Sequence, residues 1–236
     1  KRICKKFKIN TLIVDHYFLS SSWEKKIKKY IDKLVVIDDF SKKKHNCDLA
    51  INNFSKKNGT KVQLLNGFKY VIVPNNEIRN MENKKIKKGK KLIIGTFFGS
   101  TDNKNCTERL LKKLSKKKFK DFKFISILGK NNKNKKNIKA TFKNHKNIII
   151  KKNFTNIKNF FKKINVLINV GGIISFEAML HNIKCIYIPI GYYQKTSCEF
   201  LKRNKISNIF KYSSVFSKKG EQLLLSSFNN ILKKII

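Results

Sequence analysis

"NVLINVGGIISFEAMLHNIKCIYIPI", residues 165–190, holds two apolar runs with one amphipathic segment between them. "NVLINV" and "KCIYIPI" have the length and apolar content of buried strands, and "SFEAMLHN" carries apolar residues at helical spacing. A strand, a helix and a second strand joined by short connections form a βαβ unit, which makes the strands parallel members of one sheet.

The same alternation extends outward from this unit. On its N-terminal side lie "KLIIGTFF" (strand), "CTERLLKKLSKK" (helix), "FKFISILG" (strand), "NIIIK" (strand) and "NIKNFFKKI" (helix). On its C-terminal side come a helix near "SCEFLKRN" and the terminal helix "GEQLLLSSFNNILKKII". The Lys/Asn tract 130–138 reads as a solvated loop. Further upstream, strands end at Asp15, Asp38, Asn52 and Leu65, and "SSWEKKIKKYID" reads as a helix with Ser21 or Ser22 as N-cap and Glu24 in its positive first turn. Residues 75–91 lose their apolar content. The expected fold is therefore α/β, with an incomplete N-terminal Rossmann-like domain over 1–75, a polar connection over 76–90 and a second Rossmann-like domain over 91–236.

Composition narrows the classes of function. The 236 residues carry 55 Lys+Arg against 14 Asp+Glu, a net charge of +41 that attracts any phosphorylated ligand. Only four of the basic residues are Arg, the side chain whose planar fork suits bidentate phosphate and base recognition. The Lys is spread along the whole chain beside abundant Asn, Ile and Phe, which argues against a dedicated nucleic-acid surface, although a basic polyanion-binding module remains an alternative. Five scattered Cys without a C-x-x-C pair fit neither a disulfide framework nor a zinc site, and point to a reducing cytoplasm. No apolar run reaches the ~18 residues of a membrane span, and "KRICKKFKINTLIV" does not read as a signal peptide.

Candidate site residues gather at predicted strand ends, where open α/β sheets bind ligands. Gly171 and Gly172 permit a tight turn and a close backbone approach, and a helix N-terminus just beyond them offers free N–H groups to an anion. There Ser175 is placed to cap the helix or to touch phosphate, and Glu177 to accept hydrogen bonds from sugar hydroxyls. A diphosphate with an attached ribose fits that layout, and ordinary helix-start chemistry accounts for the same residues equally well. "FFGSTDNKN" supplies a second such loop with Gly99, Ser100, Thr101 and Asp102, where an N-cap alone is sufficient explanation, and "SILGKNN" repeats the theme at Gly129. None of these is a G-x-G-x-x-G or Walker loop. In the first domain, Asp15, His16 and Tyr17 end a strand, with His16 as a candidate proton shuttle. Asp38, Asp39, His45, Cys47 and Asp48 read as turn-making residues, because their spacing shows no metal-ligand convergence.

Taken in order, "LIVDHYFLSSSWEKKIKKYIDKLVVIDDFSKKKHNCDLAIN", "LLNGFKYVIVP", "GTFFGSTDNKN", "SILGKNN" and "NVGGIISFEAMLHNIKCIYIPIGYYQ" resemble the nucleotide-sugar hydrolase of pseudaminic acid biosynthesis, a family of the same GT-B superfamily as the MurG glycosyltransferase. The resemblance runs across nearly the whole chain. It implies two Rossmann-like domains of GT-B type with a UDP-sugar in the cleft between them. It also implies hydrolysis of the sugar–UDP bond at the anomeric carbon without metal or other cofactor. The family's catalytic-site Tyr falls on Tyr17, its nucleotide-holding residues on Gly171, Gly172, Ser175 and Glu177, and its last cleft Gln on Gln194. Three departures accompany these matches. The family has a strand and a His-bearing Gly-rich loop that would precede Lys1, it has Asn where this chain has Tyr193, and it has Arg where this chain has Pro74. The first implies that this stretch alone is a poor hydrolase, with His16 as the nearby substitute. A UDP-sugar-dependent glycosyltransferase of the MurG type is the enzyme alternative.

Overall fold

The alternating pattern folds into two parallel sheets, one in each of two units that divide between Ile72 and Val73. In the computed structural model the described residues are 2–16, 18–38, 44–52, 62–73, 91–153, 156–203 and 208–235. The connection expected over 76–90 lies outside them.

The first unit opens with a short helix, α1 (Arg2–Lys6), and continues through β1 (Thr11–Asp15), α2 (Ser21–Ile27), β2 (Lys33–Ile37), β3 (Leu49–Asn52) and β4 (Gln63–Asn66). The strands lie in chain order, β1-β2-β3-β4, all parallel. Alternation along each strand turns Val14, Leu34, Val36 and Ala50 to one face, where they pack with Cys4, Ile27 and Ile31. The N-cap of α2 is Ser20, one residue before the expected pair: its Oγ accepts from the Trp23 N–H. Ser22 instead shares a side-chain hydrogen bond with Ser20.

The second unit runs β5 (Ile93–Phe97), α3 (Cys106–Leu114), β6 (Lys123–Leu128), α4 (Lys135–Phe142), β7 (Ile148–Lys152), α5 (Ile157–Lys163), β8 (Val166–Asn169), α6 (Ile174–Leu180), β9 (Lys184–Tyr187), α7 (Tyr192–Arg203), β10 (Asn208–Ile209), α8 (Tyr212–Phe216) and α9 (Gly220–Ile235). Its six strands are parallel in the order β10-β9-β8-β5-β6-β7. The chain builds outward from β5 to β7, then returns to lay β8 on the other flank of β5. The order reverses between those two central strands, and in doubly wound sheets the crevice above such a switch point is where ligands sit.

The core of this unit joins Ile94, Leu110, Leu111, Leu114, Phe124, Ile168 and Ile186 to Phe228 of α9. Phe119, Phe122 and Phe124 surround the Phe228 ring at centroid distances of 5.3–6.2 Å. Glu221, in the first turn of α9, is paired with Lys116 and Lys118 at 2.5 and 2.7 Å, tying the helix to the segment after α3. The Lys/Asn tract differs from its expectation as a solvated loop. From Lys135 it is helix α4, because Ile138 and Phe142, four residues apart, form an apolar stripe that is buried against the core.

Candidate functional site

The register of the central strands brings the two glycine turns of the second unit side by side. Phe97, the last residue of β5, is opposite Asn169, the last residue of β8. The chain leaves β5 through Gly99 and β8 through Gly171, both at φ +86°.

Asn169, which the reading of motifs passed over, organises the second turn. Its Oδ1 accepts from the backbone N–H of Gly171 at 2.6 Å and from the Ser175 hydroxyl at 2.9 Å. Ser175 is fully buried, so its hydroxyl faces the protein interior and braces the turn. It is not the N-cap of α6 either: the cap position is Ile173, and no side chain caps it. A polar residue closing an apolar strand immediately before Gly-Gly is the sequence signal that marks Asn169.

The two glycines have different surroundings. A Cβ on Gly171 would collide with the Cys198 sulfur of α7, so helix packing excludes a side chain there. A Cβ on Gly172 would meet nothing within 4 Å. Among the described residues, the N–H groups of Gly172, Ile173 and Ile174 have no hydrogen-bond acceptor, as expected at the start of a helix.

The loop after β5 is filled from within. Asp102 is 3% exposed, and its two carboxylate oxygens accept from the N–H groups of Cys106 and Thr107 at 2.8 and 2.9 Å. The N-cap position of α3 is Asn105, which makes no side-chain cap bond, so neither Thr101 nor Asp102 is the N-cap. Asp102, three residues earlier, instead supplies the acceptor for the first N–H groups, and its charge sits where an anion would gain from that helix. Ser100 is exposed, and its carbonyl accepts from the Asn131 N–H at 3.0 Å. Gly129 sits beneath this loop, where a Cβ would strike the Gly99 carbonyl and the Ser100 backbone.

The loop between β9 and α7 is closed by Gln194. Its Oε1 accepts from the N–H groups of Gly191 at 2.7 Å and Ile190 at 3.2 Å. Lys104 reaches across from the first loop and donates to the Ile190 carbonyl at 2.7 Å, a link that carries no motif in the sequence. Glu177 lies half-buried in α6. Tyr193 belongs to α7.

Four buried side-chain atoms without a hydrogen-bond partner among the described residues, Asn105 Oδ1, Asn132 Nδ2, Asn169 Nδ2 and Tyr187 Oη, all lie at the carboxyl ends of β5, β6, β8 and β9 or in the loops just beyond. Asn169 and Tyr187 are register partners. Burial raises the Tyr187 phenol well above its ordinary value, which keeps it protonated at any ordinary pH.

In the first unit the predicted residues separate. Asp15 and His16 are exposed at the end of β1, and His16 Nδ1 accepts from the Phe18 N–H at 3.2 Å. Tyr17 and Asp39 lie outside the described residues. Asp48 caps the start of β2, accepting from the Leu34 N–H at 2.7 Å and pairing with Lys28 at 2.5 Å. His45 is bound on both sides, with Nδ1 2.7 Å from Glu24 Oε1 and Nε2 2.9 Å from Asp38 Oδ2. Its ring nitrogens point apart to separate acids, and no group of His, Cys, Asp and Glu among the described residues is arranged to hold a metal ion.

No family model matches the sequence, and no curated protein matches it. Solved structures match the fold. The Acinetobacter baumannii MurG structure superposes with a TM-score of 0.67 at 12% identity, covering 99% of this chain and 69% of that one. The fold is of the GT-B type. The spinosyn rhamnosyltransferase SpnG, complexed with thymidine diphosphate, matches with a TM-score of 0.58 at 10% identity, covering 99% of this chain and 72% of that one. A structure of S. aureus MnaA with UDP matches with the same score of 0.58 at 12% identity, covering 99% and 71%. At these identities the likeness establishes the architecture. No helix among the described residues is long and apolar enough to cross a membrane.

Proposed function

We propose that this chain binds a UDP-linked sugar and breaks the bond between the anomeric carbon and the diphosphate, passing the sugar to an acceptor hydroxyl. The observation that carries this reading is the carboxyl edge of the second unit's sheet. Two glycine turns adjoin at its switch point, Gly172 opens onto free space, and three N–H groups beside it have no acceptor among the described residues. Backbone amides so placed suit a pyrophosphate. Within this reading Gly99, Ser100, Gly172, Glu177 and Gln194 border the nucleotide. Gly171, Ser175 and Asp102 hold the turns that present it.

Sugar transfer is supported by fold neighbours whose names include a rhamnosyltransferase and whose bound ligands are nucleoside diphosphates. Hydrolysis of a UDP-linked 2,4-diacetamido-2,4,6-trideoxy sugar is the second reading, favoured by the five ordered sequence stretches and requiring only that water replace the acceptor. Calorimetry with UDP tests the shared premise: saturable heat up to millimolar nucleotide is expected, and none would overturn it. UDP release from a UDP-sugar, followed with and without a hydroxyl acceptor, separates the two reactions. Release that depends on acceptor supports transfer, and release in its absence supports hydrolysis.

A further inference from the structure

Side chains from three separate segments of the first unit meet at His45. Glu24 comes from α2, Asp38 from the residue after β2, and His45 from the strand-free segment that leads to β3. Glu24 is 2% exposed, and its second oxygen accepts from the Asn46 N–H at 2.5 Å, so both oxygens are committed to residues 45 and 46. The His45 side chain is itself 8% exposed.

This geometry sets a condition on the ring. Ionised carboxylates only accept hydrogen bonds, so both ring nitrogens must donate, and only the imidazolium has two N–H groups. A neutral ring would turn a lone pair toward one of the two acids. Among the described residues, two nearby lysines act on another acid: Lys28, at the C-terminal end of α2, pairs with Asp48, and Lys33 of β2 also acts on Asp48. Cys47, buried beside Glu24, has its thiol pushed up to about 11, first by burial and then by the charges of Glu24 and Asp48. It therefore stays neutral while His45 titrates.

We propose that His45 is a proton-operated latch, whose doubly protonated ring fastens residues 44–48 to α2 and to the end of β2, and whose neutral form releases them. The hydrogen bond to Asp38 raises the His45 pKa above its ordinary 6.5, against the lowering effect of burial and with further help from Glu24. The latch is thus fully closed below pH 6.5, where the unfolded residue is also protonated, and it weakens as pH rises through the higher folded value. It holds whether or not the second unit binds nucleotide.

Nitrogen-15 NMR of the histidine rings in the intact chain, combined with amide hydrogen exchange, tests this. His45 is expected to show two protonated nitrogens at pH 6.5 and a midpoint above that value. Exchange of amides 44–48, corrected for its intrinsic pH dependence, is expected to rise across that midpoint, about tenfold for each unit by which the pKa is raised. Asp38→Asn keeps the buried Glu24 contact and is expected to lower the midpoint and move the opening to lower pH. A His45 midpoint at or below 6.5, exchange at 44–48 indifferent to it, or an unchanged midpoint in Asp38→Asn would each overturn the proposal.

Discussion

The Cys198 sulfur of α7 occupies the space that a β-carbon on Gly171 would need. The bare backbone of the turn after β8 is thus demanded by the packing of a helix, and Gly171 also adopts φ +86°. Gly171→Ala is expected to cost about 1–2 kcal/mol from the left-handed backbone alone, with the clash added. Adding Cys198→Ala recovers only the clash. Gly172→Ala, with open space beside it, keeps the melting temperature within a degree or two and weakens UDP binding. Thermal denaturation with and without UDP checks both glycines.

Asn169 and Ser175 are coupled unequally. Ser175→Ala removes one donor and leaves Asn169 Oδ1 bonded to the Gly171 N–H, so the expected loss is about 1 kcal/mol. Asn169→Leu strands both the Gly171 N–H and the Ser175 hydroxyl in a buried site, and each stranded group costs about 1–3 kcal/mol. Urea denaturation of the two variants should show Asn169→Leu to be the more damaging by at least twofold.

Asp102 acts as a side-chain cap on α3 from three residues before the cap position, accepting from the helix's first two N–H groups. Asp102→Ala is expected to lose about 1–2 kcal/mol, at the upper part of the range for N-caps, and Asp102→Asn, which retains one acceptor, about half of that. Denaturant midpoints measure the difference.

Asp48 titrates in the opposite sense to His45. The hydrogen bond from Lys28, reinforced by the Leu34 N–H, lowers its carboxyl below the ordinary 3.8. Its contribution is present above pH 3.8 and is lost as pH falls through the lower folded value. In Asp48→Asn this acid-side loss disappears, so the stability of wild type and variant converges as pH drops toward 2. Stability curves between pH 2 and 6 test the convergence.

The architecture was open to reading because its signals are local. "NVLINVGG" and "KLIIGTFF" carry strand and turn within eight residues each, and the structure has β8 and β5 there. Where composition masks periodicity, reading fails: Ile138 and Phe142 mark α4, yet they stand among Lys and Asn. The site was legible only as far as strand ends and glycines go. That Ser175 turns inward to Asn169, or that His45 meets Glu24 from 21 residues away, depends on contacts made after the sheet has formed, and no spacing encodes them.

Glu221 with its two flanking lysines shows how this chain uses its few acids. Glu24, Asp38, Asp48, Asp102 and Glu221 each anchor a helix end, a strand start or a loop, and Glu108 accepts from the Asn105 side chain at the start of α3. With only 14 carboxylates against 55 cationic side chains, so many held in structural joints leave few to offset the remaining positive surface. Dissolved anions are expected to take over that task, so the melting temperature should climb as ionic strength rises, because screening relieves a self-repulsion that its own side chains do not neutralise.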